Sequence, residues 1–493
     1  MNRPNDAPLP GLSASAHEDP FARNHLPAPE LWPELRFDLP ELAYPERLNC
    51  VAELLDRAVA AGEGGRTAIR FAGGSWSYAH LLEQVDRIAH VLRGPMDLKT
   101  GNRVLLRGAN NPMMAAAVLA VLKAGMVAVP TMPLLRAREL GAIMAKAAVN
   151  AVLCADGLRA ELEAAPGLPA KVVWFNAAAG AEADTAGGSL EALMARQPAR
   201  FDACDTAADD VCLISFTSGT TGVPKGTMHF HRDVLAICDC FPRSVLRAQR
   251  DDTFIGTPPL AFTFGLGGLL LFPLRVGAAT VLLEKLTPAT LLQAIQQYRA
   301  TVCFTAPTFY RQMAPLAAGH DIASLKKSVS AGEALPPGEV GQLAVKGPTG
   351  CRYLDDARQQ QYVRNGWNLT GDAYRMDQDG YFWYHARTDD MIISAGYNIA
   401  APEVEEALMC HAAVAECAVV GWPDEERGQI VKAFVVLRPG HAAGAELARA
   451  LQEHVKQTVA PYKYPRAVEF LDALPRTQSG KLQRHVLRSA PLK

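Results

Sequence analysis

The sequence predicts an α/β protein, with a large N-terminal domain of several parallel-type sheets covered by helices and a small α+β domain after it. Three observations predict this. The chain has 493 residues, enough for two or more domains. Between 104 and 175 short apolar strands alternate with helix-patterned segments, the rhythm of a parallel sheet packed under helices. Beyond 400 the order becomes helix, two strands, helix, strand.

Composition bounds the function. The formal charge is −2, so no basic field for nucleic acid exists. No apolar run is long enough to span a membrane, and the Pro-rich start has no apolar signal core. Ten cysteines are scattered without CxxC pairing, which suits reduced thiols in a cytoplasm. The expectation is a cytoplasmic chain without nucleic-acid or membrane partners.

In order, residues 1–47 read as an irregular arm wrapping the first domain. Segment 49–61 reads as an amphipathic helix, with Val51, Leu54, Leu55 and Val59 on one face. A hairpin follows at 67–71 and 76–78, then a helix over 78–92. Strand 104–107, helix 112–124 and strand 126–130 come next, with strands at 152–154 and 172–175. The Ala-rich stretches 177–187 and 441–450 read as a loop and a helix.

An apolar strand, 211–216, then runs into Thr217-Ser218-Gly219-Thr220-Thr221-Gly222-Val223-Pro224-Lys225-Gly226. Glycines allow backbone N–H groups to approach an anion closely, and hydroxyls and an ammonium add donors for phosphate oxygens. No Gly-Lys-Ser/Thr closes it as in a Walker loop. Past it, His229, His231, Cys238 and Cys240 invite a zinc reading. A helix there would turn i and i+2 to different faces, which favours packing.

Read alone, the decapeptide is a Ser/Thr/Gly surface turn. Its residue order resembles the phosphate loop of the acyl-adenylate-forming family, which includes acyl-CoA ligases, luciferases and peptide-synthetase adenylation domains. Further segments of that family follow in order. Pro258 to Gly268 reads PPLAFTFGLGG, where the family lines its acyl pocket; Phe262 and Phe264 would flank a flat ring and Gly265 would leave room for it. Ala306, in VCFTAPTFY, faces the same site in relatives. Ser330-Ala331-Gly332-Glu333 resembles the segment beneath adenine. Thr370-Gly371-Asp372 resembles the ribose-binding turn, with Asp372 accepting the ribose hydroxyls. Arg387 would reach ribose or phosphate, and Asp389 stands at the family's hinge.

Gly396 would let the backbone pass close to a pantetheine tunnel, and Lys463 would touch CoA phosphates. Pro475-Arg476-Thr477-Gln478-Ser479-Gly480-Lys481 resembles the catalytic-lysine loop, with Lys481 between the substrate carboxylate and the α-phosphate. Lys123-Ala124-Gly125 also matches a family core motif and reads as structural. Among members, the sequence looks most like 2-aminobenzoate–CoA ligases, then benzoate–CoA ligases. The resemblance implies ATP, Mg²⁺ and CoA as co-substrates or activator, an aryl carboxylate as substrate, and a homodimer as one possible assembly. It divides the chain into a large domain, 1–388, and a small hinged domain, 389–493.

One motif breaks the series. After Leu335-Pro336 the family has a helix, strands and a Gly-x-Thr-Glu type motif whose Glu holds Mg²⁺. Here Pro337-Gly338-Glu339 follows directly, so the expected metal-binding Glu is absent and a segment is missing near 336–338. Two alternatives to a CoA ligase therefore stand: a ligase-derived binding protein, and an adenylating enzyme that hands its acyl group to a separate carrier.

Overall fold

The computed structural model describes residues 11–176, 188–217, 224–330, 341–376, 382–387, 391–475 and 484–488. Two six-stranded sheets build the large domain. The first runs Lys171–Phe175, Ala151–Ala155, Arg103–Arg107, Val127–Thr131, Val211–Thr217, Lys225–Phe230. The second runs Lys327–Ser330, Val302–Thr305, Thr253–Gly256, Ala279–Val281, Thr67–Phe71, Gly74–Ser77. In each sheet the last strand is antiparallel and the other pairings are parallel.

One apolar core joins the two sheets through the helices Tyr78–Arg93 and Pro112–Lys123. The second of these is buried at every position, as its Ala, Met, Val and Leu content requires. Asn111 caps it by accepting from the Met114 N–H at 2.9 Å, and Pro112 occupies its first turn. At its end Lys123 is fully buried, with its ammonium 2.6 Å from Asp56 and bonded also to Asp86. Gly125 has φ +71°, and a Cβ there would meet Cys204 Sγ at 2.7 Å. The Lys-Ala-Gly motif is thus a packing device.

The arm over 11–47 does wrap the domain. Arg23 reaches Asp209 and Asp210 at 3.2 and 3.1 Å, and Leu35 bridges to Gly347. A third, antiparallel sheet contains Gly341–Val345, Val363–Arg364, Trp367–Met376 and Phe382–Arg387. The small domain has a core of its own, built on the hairpin Met391–Ser394/Tyr397–Ala400, the helices Ala401–Met409 and Ala445–Thr458, and the sheet Val414–Asp424, Gly428–Leu437, Ala467–Phe470.

Most expected elements form within a residue or two of their expected bounds. Two readings change. The segment after the phosphate loop is first a strand, Lys225–Phe230, and the helix begins only at His231. The Thr370-Gly371-Asp372 stretch is no separate turn; it lies inside the strand Trp367–Met376, where Gly371 takes φ +78°. That strand bulges just beyond, with a register shift between Ala373 and Tyr374. The 177–187 stretch lies outside the described residues.

Candidate functional site

The candidate site is built at the carboxyl ends of strands, where open parallel sheets bind ligands. In the second sheet three adjacent parallel strands end together. Thr305 pairs with Ser330 in register, and Phe304 with Gly256. Their C-terminal continuations carry the sequence-predicted residues: 257–268 after the first, Ala306 after the second, and Ala331, Gly332 and Glu333 after the third. Those last three lie outside the described residues. Thr257 and Thr305 hydroxyls share a 2.6 Å hydrogen bond across two of these ends. Ser330 is exposed on the edge strand.

Asn110 pins the aromatic-glycine segment. Its amide donates to Pro258 O at 2.9 Å and its carbonyl accepts from the Leu260 N–H at 2.8 Å. Phe262 is half-buried at the start of the short helix Thr263–Leu266. Phe264 packs against Phe304, ring centroids 5.5 Å apart. Gly265 has a different role from the expected one. A Cβ there would lie 2.1 Å from Pro259 O and 2.6 Å from Pro258 O. Its missing side chain lets two backbone stretches touch, rather than making room for a ring.

In the first sheet the segment expected to be the phosphate loop connects the strands of an antiparallel hairpin, because Thr217 pairs with Lys225 across its mouth. Ser218, Gly219, Thr220, Thr221 and Gly222 lie outside the described residues. Lys225 is 4% exposed, and its ammonium is 2.6 Å from the Tyr362 hydroxyl. It also stands 4.3 Å from the Tyr362 ring centre and 5.7 Å from that of Tyr353. Nothing in the sequence pointed to these tyrosines; only folding brings 353–362 to the hairpin. Arg352 anchors that segment. It is fully buried, ion-paired with Asp233, and lies 4.0 Å from the Phe230 ring centre.

Across the third sheet, Asp372 and Arg387 are register partners, so the two residues expected at ribose sit side by side along the backbone. Asp389 and Lys481 lie outside the described residues.

Gly396 is brought to the large domain. It and Ala395 form the two-residue turn of the 391–400 hairpin, with φ +81° and +48°, the left-handed pair that tight hairpins need. A Cβ on Gly396 would lie 3.3 Å from Ala306 Cβ. Lys463 goes elsewhere than expected. It is 3% exposed and inserted between Glu139 and Glu403, 2.7 Å from the latter. Two carboxylates occupy its ammonium, so in this arrangement it faces the interior and not a CoA phosphate.

Burial alone would lower the Lys463 ammonium; Tyr462, Glu403 and Glu139 outweigh it and raise it. Burial pushes Glu403 up to about 7, with Lys463 drawing it down and Glu139 pushing it further up. Between 4.5 and about 7 the folded chain keeps a proton that the unfolded chain has lost. Stability from this group is therefore present at the acid end and declines as pH rises through that window, by at most about 1.4 kcal/mol per pH unit. The buried His17 and His229, each held down to about 4, give the opposite slope over much of this window. The contribution of Glu403 is therefore read by difference: in urea unfolding, the stability of the native chain minus that of Glu403→Gln is expected to shrink as pH rises through the window.

The zinc reading from His229, His231, Cys238 and Cys240 does not survive. His229 is on the strand, and the Cys238 thiol donates to Val234 O within its own helix at 3.1 Å. His231 meets Cys50 and Cys212 instead, their donor atoms within 4.8 Å of one another. Its Nδ1 accepts from the Cys50 N–H at 3.2 Å, and the Cys212 thiol donates to His229 O at 3.6 Å. The trio is fully buried. Its soft donors also do not suit Mg²⁺, which takes oxygen ligands. Among the described residues no other group of three or more such ligands occurs.

No described helix is long and apolar enough to cross a membrane. The ten cysteines are all free.

Comparison with known proteins agrees with this architecture. The benzoate–CoA ligase of Thauera aromatica is 32% identical over 518 residues, covering 92% of this chain and 98% of the relative. Among solved structures, the anthranilate CoA ligase AuaEII in complex with anthranoyl-AMP matches with TM-score 0.66 and 26% identity, covering 92% of this chain and 98% of that one. The amide bond synthetase McbA from Marinactinospora thermotolerans matches with TM-score 0.78 and 25% identity, covering 90% and 99%. A family model for AMP-binding enzymes matches residues 55–353, and one for the AMP-binding enzyme C-terminal domain matches 403–481. With both family models matched in order and a relative 32% identical along nearly its whole length, this chain belongs to the AMP-binding enzyme family.

Proposed function

We propose that the chain is an ATP-dependent aryl-acid–CoA ligase acting on 2-aminobenzoate, with benzoate the next acid to test. One observation carries this reading furthest: the Gly396 turn of the small domain rests on Ala306, just past the strand Val302–Thr305, where the resemblance expects the acyl pocket. A thioester-forming site needs such an approach, because the thiol must reach the acyl carbon along a narrow backbone channel. The 32% identity to a benzoate–CoA ligase and the fold shared with an anthranilate CoA ligase support the aromatic acid, as does the half-buried pair Phe262 and Phe264.

In this mechanism a carboxylate oxygen attacks the α-phosphorus of ATP and pyrophosphate leaves. Thr217, Ser218, Gly219, Thr220, Thr221, Gly222 and Lys225 hold phosphates; Ser330, Ala331, Gly332, Glu333, Asp372 and Arg387 hold adenine and ribose. Lys481 stabilises the charge that builds at the α-phosphate. The small domain then turns about Asp389, the CoA thiolate attacks the acyl carbon, and AMP leaves. Holding the reactants in one cleft supplies much of the rate by orientation.

The segment absent near 336–338 belongs to this proposal. The match to the benzoate–CoA ligase runs over 518 residues, whereas 92% of a 493-residue chain takes part, which supports a stretch present in the relative and missing here.

Pyrophosphate release and acyl-CoA formation from Mg-ATP, CoA and either acid are the test. Acid-dependent release with thioester product supports the ligase, and the ratio of kcat/KM ranks the acids. A far larger kcat/KM for some other acid would sink the substrate assignment. Release that yields an amide with an added amine, and no thioester, would favour the amide-forming reading that the McbA likeness suggests. ATP binding without turnover would point to a ligase-derived binding protein.

A further inference from the structure

We infer that Glu139 of the large domain is a positioning residue for the thioester-forming step, because it grips the small domain in the orientation that sets Gly396 on Ala306. The inference rests on the ligase reading for its kinetic consequence, while the grip itself stands on geometry.

Glu139 lies in the first turn of the helix Ala137–Lys146 and is 8% exposed. One carboxylate oxygen accepts from the Arg136 N–H at 3.0 Å, closing its own helix. The same oxygen accepts from the Ala460 N–H of the small domain, also at 3.0 Å. The other is bonded to the Lys463 ammonium. Lys463 in turn is held by Glu403, at the start of the helix Ala401–Met409. Removing the large-domain partner leaves this buried ammonium to Glu403 alone and takes away the charge that ties it to the large domain.

The grip is linked to the Gly396 turn through one ring contact. Tyr462, next to Lys463, stacks on Tyr397 with centroids 4.3 Å apart and planes 24° apart. Tyr397 follows Gly396 directly. The chain of contacts therefore runs from Glu139 through Lys463, Tyr462 and Tyr397 to the turn on Ala306. On the opposite flank the contacts among the described residues are more exposed, such as Gln312 to Glu426 at 2.9 Å. Beside the grip, Arg138 pairs with Glu406 near the surface, a contact that solvent weakens.

Glu139→Gln is the informative change. Glutamine can still accept from both N–H groups through its carbonyl oxygen, as capping-box glutamines do, while its NH2 takes the place of the oxygen that accepts from Lys463, so the charge and that one hydrogen bond are lost. Two measurements on the full chain decide. In amide hydrogen exchange without substrates, Glu139→Gln is expected to speed exchange at 460–464 and in the 391–400 hairpin. A change confined to 137–146 would mean that Glu139 merely caps its helix, and would overturn the inference. In kinetics, CoA-dependent thioester formation is expected to fall by at least about tenfold, less than the about 10²-fold that a fully broken buried pair would give because Glu403 still holds Lys463, while acid-dependent ATP–pyrophosphate exchange persists. Equal loss in both steps, or loss in neither, would also overturn it.

Ala460→Pro is the second variant, for the case that Glu139→Gln does not fold. It deletes one donor to Glu139 at a backbone position, φ −52° and ψ 131°, that suits proline. It should show the same pattern more weakly, and native exchange at 391–400 would count against the inference. A wild-type chain with no turnover would refute the ligase reading, and hydrogen exchange alone would then decide whether the grip exists.

Discussion

Replacing Lys481 by alanine is expected to lower acid-dependent pyrophosphate release by about 10²–10³-fold, the usual cost of deleting one preorganised group aimed at developing charge. The effect should fall on kcat. When the carboxylate oxygen and the α-phosphorus approach, negative charge gathers on the non-bridging oxygens, and an ammonium set between the two anions stabilises that arrangement more than either reactant alone. The hairpin around Thr217 and Lys225 would still hold the triphosphate, so nucleotide affinity should change little. Steady-state kinetics with 2-aminobenzoate and a fluorescent-nucleotide titration together check this. Unaltered kcat would remove Lys481 from the mechanism. A large loss of nucleotide affinity at constant kcat would reassign it to ground-state binding.

Arg352→Met should destabilise the large domain by about 3–5 kcal/mol, read from urea unfolding, because it leaves the Asp233 carboxylate buried without its cation. Arg352 is buried on all sides, and its own carbonyl accepts from the Met228 N–H at 2.9 Å. Burial lowers the guanidinium and Asp233 opposes that. The double change Arg352→Met with Asp233→Asn removes both charges and should cost clearly less than the single one, since Asn can still accept from the Phe230 N–H that Asp233 now caps at 3.0 Å. A double variant no more stable than the single would mean that the loss is one of packing between Trp32 and Phe230. Nucleotide binding should weaken in the single variant as well. The 353–362 segment that Arg352 anchors brings Tyr362 to Lys225.

Much of this protein is legible in its sequence, because local rules suffice where apolar period and capping chemistry agree. Asn111-Pro112 followed by an Ala/Met/Leu run specifies a buried capped helix, and it forms at Pro112–Lys123. The order of short motifs, from Thr217 to Lys481, was enough to identify the family, since loops that bind nucleotide keep their residue types at set places along the chain.

Contacts between distant segments were not legible. His231 and Cys50 are 181 positions apart, and no spacing rule links them; spacing offered Cys238 and Cys240 instead. Gly265 read as space for a ligand, yet its neighbours are two backbone carbonyls. Lys463 read as a surface cation for CoA, whereas the fold buries it against a glutamate 324 positions away. The sequence by itself determined the element order, the caps and turns, and the family, because each depends on neighbours within a few residues. Only the tertiary structure decided which charges are paired and which glycines face backbone, and how the small domain sits on the large one. Those outcomes depend on desolvation and close packing between segments that meet only once the chain is folded.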